Sequence, residues 1–352
     1  MAETTSTRDR PGRVMVTGAT GFVGAHTTRA LLEAGHPVTA LVRDPARLAV
    51  TLEPLGVRRT DLDVVVGDMG DPEAVRRAMA GAEAAVHSAA VVSLEKARGD
   101  EVLAANPAGT RVVIDAALEL GLDPVVYVSS TASLWRPGLT SLHTDLPPAE
   151  LTSAYGRSKS LAEQEVRRHQ AQGAPIVITY PASVMGPPAG RSSGEVSAAL
   201  ATHLQMGWLP LPHASWSIVD VRDLAAVHLA ALEVGRGPRR YLCGGTYMTM
   251  IELGRLYRDL MGRRMPVVAS SAAGLRALGR LVDRLSRYLP LDTIFTGEAM
   301  DIFTGWVPTD DQATHDDLGV EWRDPHDTLE RAIRGLVDAG RVTPAQAGRL
   351  GL

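Results

Sequence analysis

A single cysteine, Cys243, occurs in 352 residues, so no internal disulfide can form and no zinc-type ligand spacing exists. That pattern fits a reducing compartment, and no metal is expected. Excess charge of one sign is equally scarce. The 36 basic and 40 acidic residues leave a formal net charge of −4 with no long basic run, which removes the electrostatic footprint of a nucleic-acid binder. No uninterrupted apolar stretch approaches the about 18 residues of a membrane span. Residues 1–13, MAETTSTRDRPGR, lack the apolar core of a secretory signal and read as a loose polar tail. The expected location is therefore the cytoplasm. Internal repeats and low-complexity blocks are also missing.

What is present is enough apolar residue for a core. The chain is 45% hydrophobic and 22% charged, which can build one large domain or two smaller ones. The segment VMVTGATGFVG, residues 14–24, sets Gly18, Gly21 and Gly24 three apart directly after an apolar run. Phe22 to Gly35 then has helical apolar spacing, and His36 to Val42 reads as a second strand. Glycines also serve ordinary turns. Between a strand and a helix in a β–turn–α–β unit, however, they allow a tight turn and the close approach of a phosphate to the amides at the helix start.

Strand and helix go on alternating. Strands are expected at Leu62–Val66, Ala84–His87, Val125–Ser129 and Ile176–Tyr180, with helices at Pro72–Met79, Ala97–Leu120 and Tyr155–Gln172. Asp44-Pro45 and Asp71-Pro72 read as N-cap followed by the first helical position. Such alternation predicts a parallel sheet covered on both faces. It stops after Pro181 in a Gly/Pro/Ser-rich stretch, and returns at Ser217–Val234 and Arg240–Cys243 as a helix and a strand rejoining the sheet. The fold class expected is α/β, a Rossmann-type doubly wound parallel sheet with a smaller, mostly helical C-terminal substrate domain. Residues 1–181 and 217–244 would form the cofactor domain, and 182–216 and 245–352 the substrate domain.

Tyr155 and Lys159, in YGRSK, lie four apart and so share one face of a helix. The pair could simply face solvent. Chemically, an ammonium near a phenol favours the phenolate. At roughly 4 Å and an effective dielectric near 20 the attraction is on the order of 4 kcal/mol. At about 1.4 kcal/mol per pKa unit, that caps the shift at about three units from a reference near 10. Tyrosine could then serve as acid or base near neutral pH. Ser129, Ser130 and Thr131 end the preceding strand at the edge where open α/β sheets hold ligands.

These elements, TGATGFVG (17–24), GDMGD (67–71), HSAA (87–90), NPAGT (106–110), VSST (128–131), YGRSK (155–159), PASVMGP (181–187) and DVRDLA (220–225), resemble the extended, atypical branch of the short-chain dehydrogenase/reductase superfamily, the NAD-dependent epimerase/dehydratase group. The resemblance implies that Tyr155 is the general acid/base and that Lys159 lowers its pKa and holds the nicotinamide ribose. It makes Thr131 the group that binds the reacting oxygen, with Ser130 as the alternative register, and gives Asn106 the task of anchoring the long helix and the site's water. Gly18, Thr20, Gly21, Phe22, Val23 and Gly24 would surround the pyrophosphate, and Asp68 and Met69 the adenine. Ala89, Ala90 and Val91 would form the floor beneath the nicotinamide side, with Ser129 also at the cofactor. Pro181 and Val184 would flank the carboxamide. The family often has Arg before this proline, where this chain has Tyr180.

Arg43 ends the second strand, where an acid would grip the 2′-OH of NAD and an arginine favours the 2′-phosphate of NADP. Asp44 reads as occupied in capping. NADP (NADPH) is therefore expected over NAD. His87 reads as a hydrogen-bonded core residue, and His143, His203 and His213 show no metal-like clustering.

Three functions compete. Ala132-Ser133 follows Thr131 where sugar dehydratases of this family have an Asp-Glu pair, and Tyr180-Pro181-Ala182-Ser183 offers no Asn of the kind epimerases use to grip nucleotide phosphates. A non-catalytic NADP-binding sensor would tend to lose Tyr155 or Lys159. The expectation is thus a carbonyl reductase, closest in look to dihydroflavonol reductase and 3β-hydroxysteroid dehydrogenase-like enzymes, acting on a small apolar carbonyl or alcohol. A homodimer is compatible with the sequence. In the C-terminal region Leu275, Leu278, Leu281, Val282, Leu285, Tyr288 and Leu289 recur at helical spacing opposite Arg276, Arg280, Arg284 and Arg287. That stripe is core packing, a lid over a greasy pocket, or a peripheral membrane contact. Trp208, Trp216 and Phe295 either line an apolar pocket or fill a core.

Overall fold

The computed structural model describes residues 11–91, 99–194, 196–211, 214–286 and 296–351. Its first half is β1 (Val14–Thr17), α1 (Phe22–Glu33), β2 (Val38–Val42), α2 (Pro45–Leu52), β3 (Asp63–Val66), α3 (Pro72–Met79), β4 (Ala84–His87), α4 (Gly99–Glu119), β5 (Val125–Val128), α5 (Ala154–Ala171) and β6 (Ile176–Pro181). There follow β7 (Ser183–Met185), α6 (Ser197–Met206), β8 (Leu209–Pro210), β9 (Ser215–Asp220), α7 (Val221–Ala230), β10 (Arg239–Cys243), β11 (Thr246–Thr249), α8 (Met250–Met261) and β12 (Val267–Val268). The last elements are α9 (Ala272–Leu285), α10 (Gly297–Thr304), α11 (Gln312–Leu318), α12 (Pro325–Asp338) and α13 (Pro344–Ala347).

Seven parallel strands form the main sheet in the order β10-β6-β5-β4-β1-β2-β3. The strand period of two sends alternate residues to two faces, both buried except at the edge strand β3. Val14, Val16, Ala40, Val86 and Val126 pack on one face with Phe22, Leu31 and Leu48. Met15, Leu41, Ala85, Val125 and Ile178 pack on the other with Ala78, Ile114 and Val166. Asp44 and Asp71 cap α2 and α3 from positions directly before a proline, as their Asp-Pro steps predict. A separate apolar cluster, including Leu200, Leu204, Leu253, Tyr257, Leu329 and Ile333, joins α6, α8 and α12.

One expectation is corrected. Ser217–Asp220 does not begin a helix but ends strand β9, which pairs with β7 and β11 in a three-stranded sheet beside the main one. The alternation in SWSIVD is a strand signal, and Asp220 then caps α7 by accepting from the Arg222 amide. Only β10 rejoins the main sheet. Ala97, Arg98, His213, Arg287, Tyr288, Leu289 and Phe295 lie outside the described residues.

Candidate active site

The glycine turn is shaped by two steric demands. Gly18 has φ +82°, and a Cβ there would sit 2.7 Å from Ser88 Oγ and 2.8 Å from the Ala89 amide. A Cβ on Gly24 would come within 2.2 Å of the Gly18 carbonyl oxygen, so α1 can lie this close to β1 only without a side chain. Gly21 caps α1 with no side-chain hydrogen bond. The first-turn amides therefore have no capping side chain, and Phe22, Val23 and Gly24 line the hollow where the family resemblance implies a pyrophosphate.

That hollow is one end of a long cleft over the C-terminal edges of the strands. Its first section, of about 220 Å³, is lined by Gly18, Thr20, Gly21, Arg43, Asp68, Met69, Ala89, Ala90 and Val91. A continuing section, of about 730 Å³, adds Phe22, Val23, Gly24, Ser129, Tyr155, Lys159, Pro181 and Val184. The sections share Gly18, Gly21, Arg43, Ala90 and Val91. An amide-lined turn, arginines at one end and a Tyr–Lys pair at the other suit a nicotinamide dinucleotide in shape and donor chemistry. Sequence reasoning missed Arg47, in the first turn of α2, which lines both sections. It also missed Arg191 and Arg341 on the wall of the second. The usable signal for the first of these was a second arginine in the first turn of the helix that follows Arg43.

Helix α5 begins under the cap of Ser153, whose Oγ accepts from the Gly156 amide. Glu298 of α10 in turn accepts from Thr152 and Ser153. Tyr155 is half-buried at the cleft wall, while Lys159 is 7% exposed and its Nζ donates to the Val128 carbonyl at 2.8 Å. The ammonium also stands 5.1 Å from the Tyr127 ring centre.

Ser129 lines the cleft, whereas Thr131 and Asn106 are buried behind its wall. Thr131 is 1% exposed and its hydroxyl donates to the Pro181 carbonyl at 3.1 Å, and of the two neighbours Ser130 and Thr131 it is Ser130 that lines the cleft. The short helical turn starting at Thr131 rotates its side chain inward. Asn106 does not reach the cleft. Its Oδ1 accepts from the Val91 amide at 2.7 Å, and its Nδ2 donates to the Val91 carbonyl at 2.9 Å and to Ser158 Oγ at 3.0 Å. It therefore fixes the cleft floor to α4 and α5. The Ser129 hydroxyl donates to Glu163 behind the sheet, leaving its backbone for the cleft.

His87 lies between Thr17 and Thr110, at 2.7 and 3.1 Å, and burial lowers its pKa to about 3. It is a neutral core group. Among the described residues no cluster of three or more His, Cys, Asp or Glu could hold a metal ion.

Residues 14–244 match the model of the NAD dependent epimerase/dehydratase family. The chain belongs to that family. It is thereby an extended short-chain dehydrogenase/reductase, with both reductases and epimerases among its relatives. It is 31% identical over 277 residues to sterol demethylase protein B of Methylococcus capsulatus, covering 78% of this chain and 82% of that protein. It is 34% identical over 226 residues to a putative dihydroflavonol 4-reductase of Synechocystis, covering 63% of each. The structure of UDP-glucose-4-epimerase from Stenotrophomonas maltophila, with bound NAD and formylated UDP-arabinopyranose, superposes with a TM-score of 0.73 at 17% identity, over 94% of this chain and 99% of that one. At that identity the likeness shows the fold alone.

Within this extended short-chain dehydrogenase/reductase frame, the Tyr180 position has a clear local account. Glu163 lies two turns along α5 from Tyr155 and is fully buried. It accepts from Ser129, Ser133, Tyr180 and Arg167. Arg167, one further turn along, brings the positive charge to the carboxylate from the helix, and the tyrosine hydroxyl completes the set.

Beyond the Tyr155 end, the cleft adjoins a chamber of about 670 Å³. Val196 lines both, and Ser183 of the chamber wall lies between cleft residues Ala182 and Val184. The chamber's apolar wall includes Met206, Trp216, Leu275, Met300, Phe303 and Trp306. Trp208 and Trp216 both line it, and Trp216 Nε1 donates to Ser183 Oγ at 2.6 Å. His203 on the same wall is neutral, with burial lowering its pKa to about 4.

Proposed function

We propose that this protein is an NADP(H)-dependent reductase that converts an apolar ketone or aldehyde, aromatic or steroid-like, to its alcohol. The observation that carries this reading is the apolar chamber adjoining the Tyr155 end of the cleft, because such walls favour a substrate without phosphates. The sterol and dihydroflavonol names of two relatives agree with it.

On this reading residues 1–181 and 217–244 bind the cofactor, and 182–216 and 245–352 bind substrate. Gly18 to Gly24 receive the pyrophosphate, Asp68 and Met69 the adenine, and Arg43 with Arg47 the 2′-phosphate that distinguishes NADP from NAD. Asp44 does not oppose that phosphate freely, since its carboxylate accepts from the Ala46 amide. When bound, NADPH supplies the hydride for the carbonyl carbon. Tyr155 gives its hydroxyl proton to the carbonyl oxygen, so the products are alcohol and NADP+. Lys159, anchored on Val128, supports the tyrosine and the ribose. Ser130 is placed to donate a second hydrogen bond to the reacting oxygen, whereas Thr131 would first have to release Pro181.

A nucleotide-sugar epimerase is the second reading, favoured by Arg191 and Arg341 on the cleft wall, which could meet a nucleotide diphosphate. Incubation with NADPH and a panel of ketones, aldehydes, hydroxysteroids and nucleotide sugars separates the two. The reductase consumes NADPH with an apolar carbonyl and leaves the sugars untouched. Conversion of a nucleotide sugar without NADPH consumption overturns the assignment.

A further inference from the structure

Helix α9 buries only Gly279, where a Cβ would sit 2.8 Å from the Thr296 carbonyl oxygen at the start of α10. At about 100° per residue, its opposite side presents Leu278, Leu281 and Leu285 in one row. They are 44%, 51% and 42% exposed. Along one edge of that row stand Arg280 and Arg284, both exposed and without an ion-pair or hydrogen-bond partner among the described residues. The row does not end in open surface. Leu278 is also a wall of the apolar chamber, as is Trp208, which is 38% exposed. Val268, 46% exposed, pairs with Pro210 of the same wall. Exposed apolar side chains of α9, Trp208 and Val268 thus lie on or next to the chamber wall.

We infer that this face docks on an anionic lipid bilayer, with the leucines of α9, Trp208 and Val268 entering the interface and Arg280 and Arg284 meeting the lipid phosphates. An apolar row edged by cations is what an interfacial helix presents to such a surface, and a chamber adjoining the row would admit a membrane-dissolved carbonyl compound without passage through water. The docking concerns the same chamber and, in its substrate aspect, rests on the reductase reading. No described helix is long and apolar enough to cross a membrane, so the contact is peripheral.

The test is sedimentation of the full chain with vesicles of phosphatidylcholine alone, and with phosphatidylglycerol added. Wild type is expected to sediment with the anionic vesicles and to be released by salt. Arg280→Gln with Arg284→Gln should weaken that binding by about thirtyfold, and Leu281→Gln with Leu285→Gln by at least about tenfold. NADPH binding in solution checks that both variants are folded. Failure of wild type to bind anionic vesicles overturns the proposal, as does equal binding by wild type and both variants. Vesicle binding without carbonyl reduction would leave the docking standing and remove the reductase reading. Reduction of dissolved carbonyls without vesicle binding would do the reverse.

Discussion

The Tyr180 hydroxyl donates to Glu163 Oε1 at 2.9 Å, and Arg167 reaches both, with Nε 2.8 Å from Oε1 and Nη2 2.7 Å from the phenol oxygen. This buried group ties the helix that carries Tyr155 and Lys159 to the end of β5 and to β6. Glu163→Ala would leave the Arg167 charge and three hydroxyls without their acceptor, a loss of about 3–5 kcal/mol. Tyr180→Phe removes two hydrogen bonds, the one donated to Glu163 and the one accepted from Arg167, and should cost about 1–3 kcal/mol. Urea unfolding measures both. A loss below about 1 kcal/mol for Glu163→Ala would show that the cluster does not hold these elements together.

On the reductase reading proposed above, Tyr155→Phe should abolish reduction while NADPH binding stays near normal, because in that role the phenol supplies a proton and little binding energy. Lys159→Ala should impair both, since it removes the ammonium from the ribose side and from Val128. Steady-state kinetics with fluorescence titration of NADPH separates the outcomes. Turnover by Tyr155→Phe within about tenfold of wild type would take the acid role from this residue.

Two arginines give the cofactor prediction a graded form. Arg43→Ala and Arg47→Ala should each weaken NADPH binding by about ten- to hundredfold, on the basis of a charge-assisted hydrogen bond of roughly 1.5–3 kcal/mol. Binding of NADH should change little. The salt bridge from Arg43 to Asp68 is long, at 3.9 Å, and exposed, so it does not lock the guanidinium away from a phosphate. Equal losses for NADPH and NADH would show that neither side chain reads the 2′-phosphate.

Much of this arrangement was legible in the chain because local chemistry and global fold agree. Asp44 and Asp71 announce their helices, the alternating strands announce both buried faces, and i,i+4 spacing puts Tyr155 beside Lys159. What was not legible depends on rotation or on long-range packing. The one-residue choice between Ser130 and Thr131 is set by a short turn, and a strand pattern cannot resolve a rotation of that size. Strand β9 was read as helix because its six residues run directly into α7 without a break. Glu163 was invisible because its four donors come from residues up to 34 positions away. Arg191 and Arg341 reach the cleft through segments with no periodic signal.

Buried neutral histidines give the fold a pH dependence. Desolvation lowers the pKa of His26 and His203 to about 4 and of His87 and His228 to about 3. The unfolded chain titrates near 6.5, so below that pH it binds protons that the folded chain refuses. Stability from this source is nearly complete above about pH 6.5 and falls as pH drops toward 4 for His26 and His203 and toward 3 for His87 and His228, by roughly 2 kcal/mol per histidine at pH 5. Thermal melting should therefore show a clearly lower Tm at pH 5 than at pH 7. A Tm unchanged across that interval would mean that these side chains are not held neutral.

Substrate size provides the last test, at a position away from the cofactor. Ala199 lies on α6 with its side chain on the chamber wall, and Ala199→Trp would place an indole in the space proposed for the apolar substrate. The catalytic pair and the glycine turn are untouched by that change. Activity on a small aliphatic carbonyl should persist with NADPH affinity intact, while kcat/KM for a bulky aromatic or steroid-like carbonyl falls by at least about tenfold. The loss should be dominated by KM if the indole excludes ground state and transition state alike. Equal kcat/KM losses on small and bulky carbonyls would indicate a general distortion, and no loss on either would mean that substrate does not use this chamber.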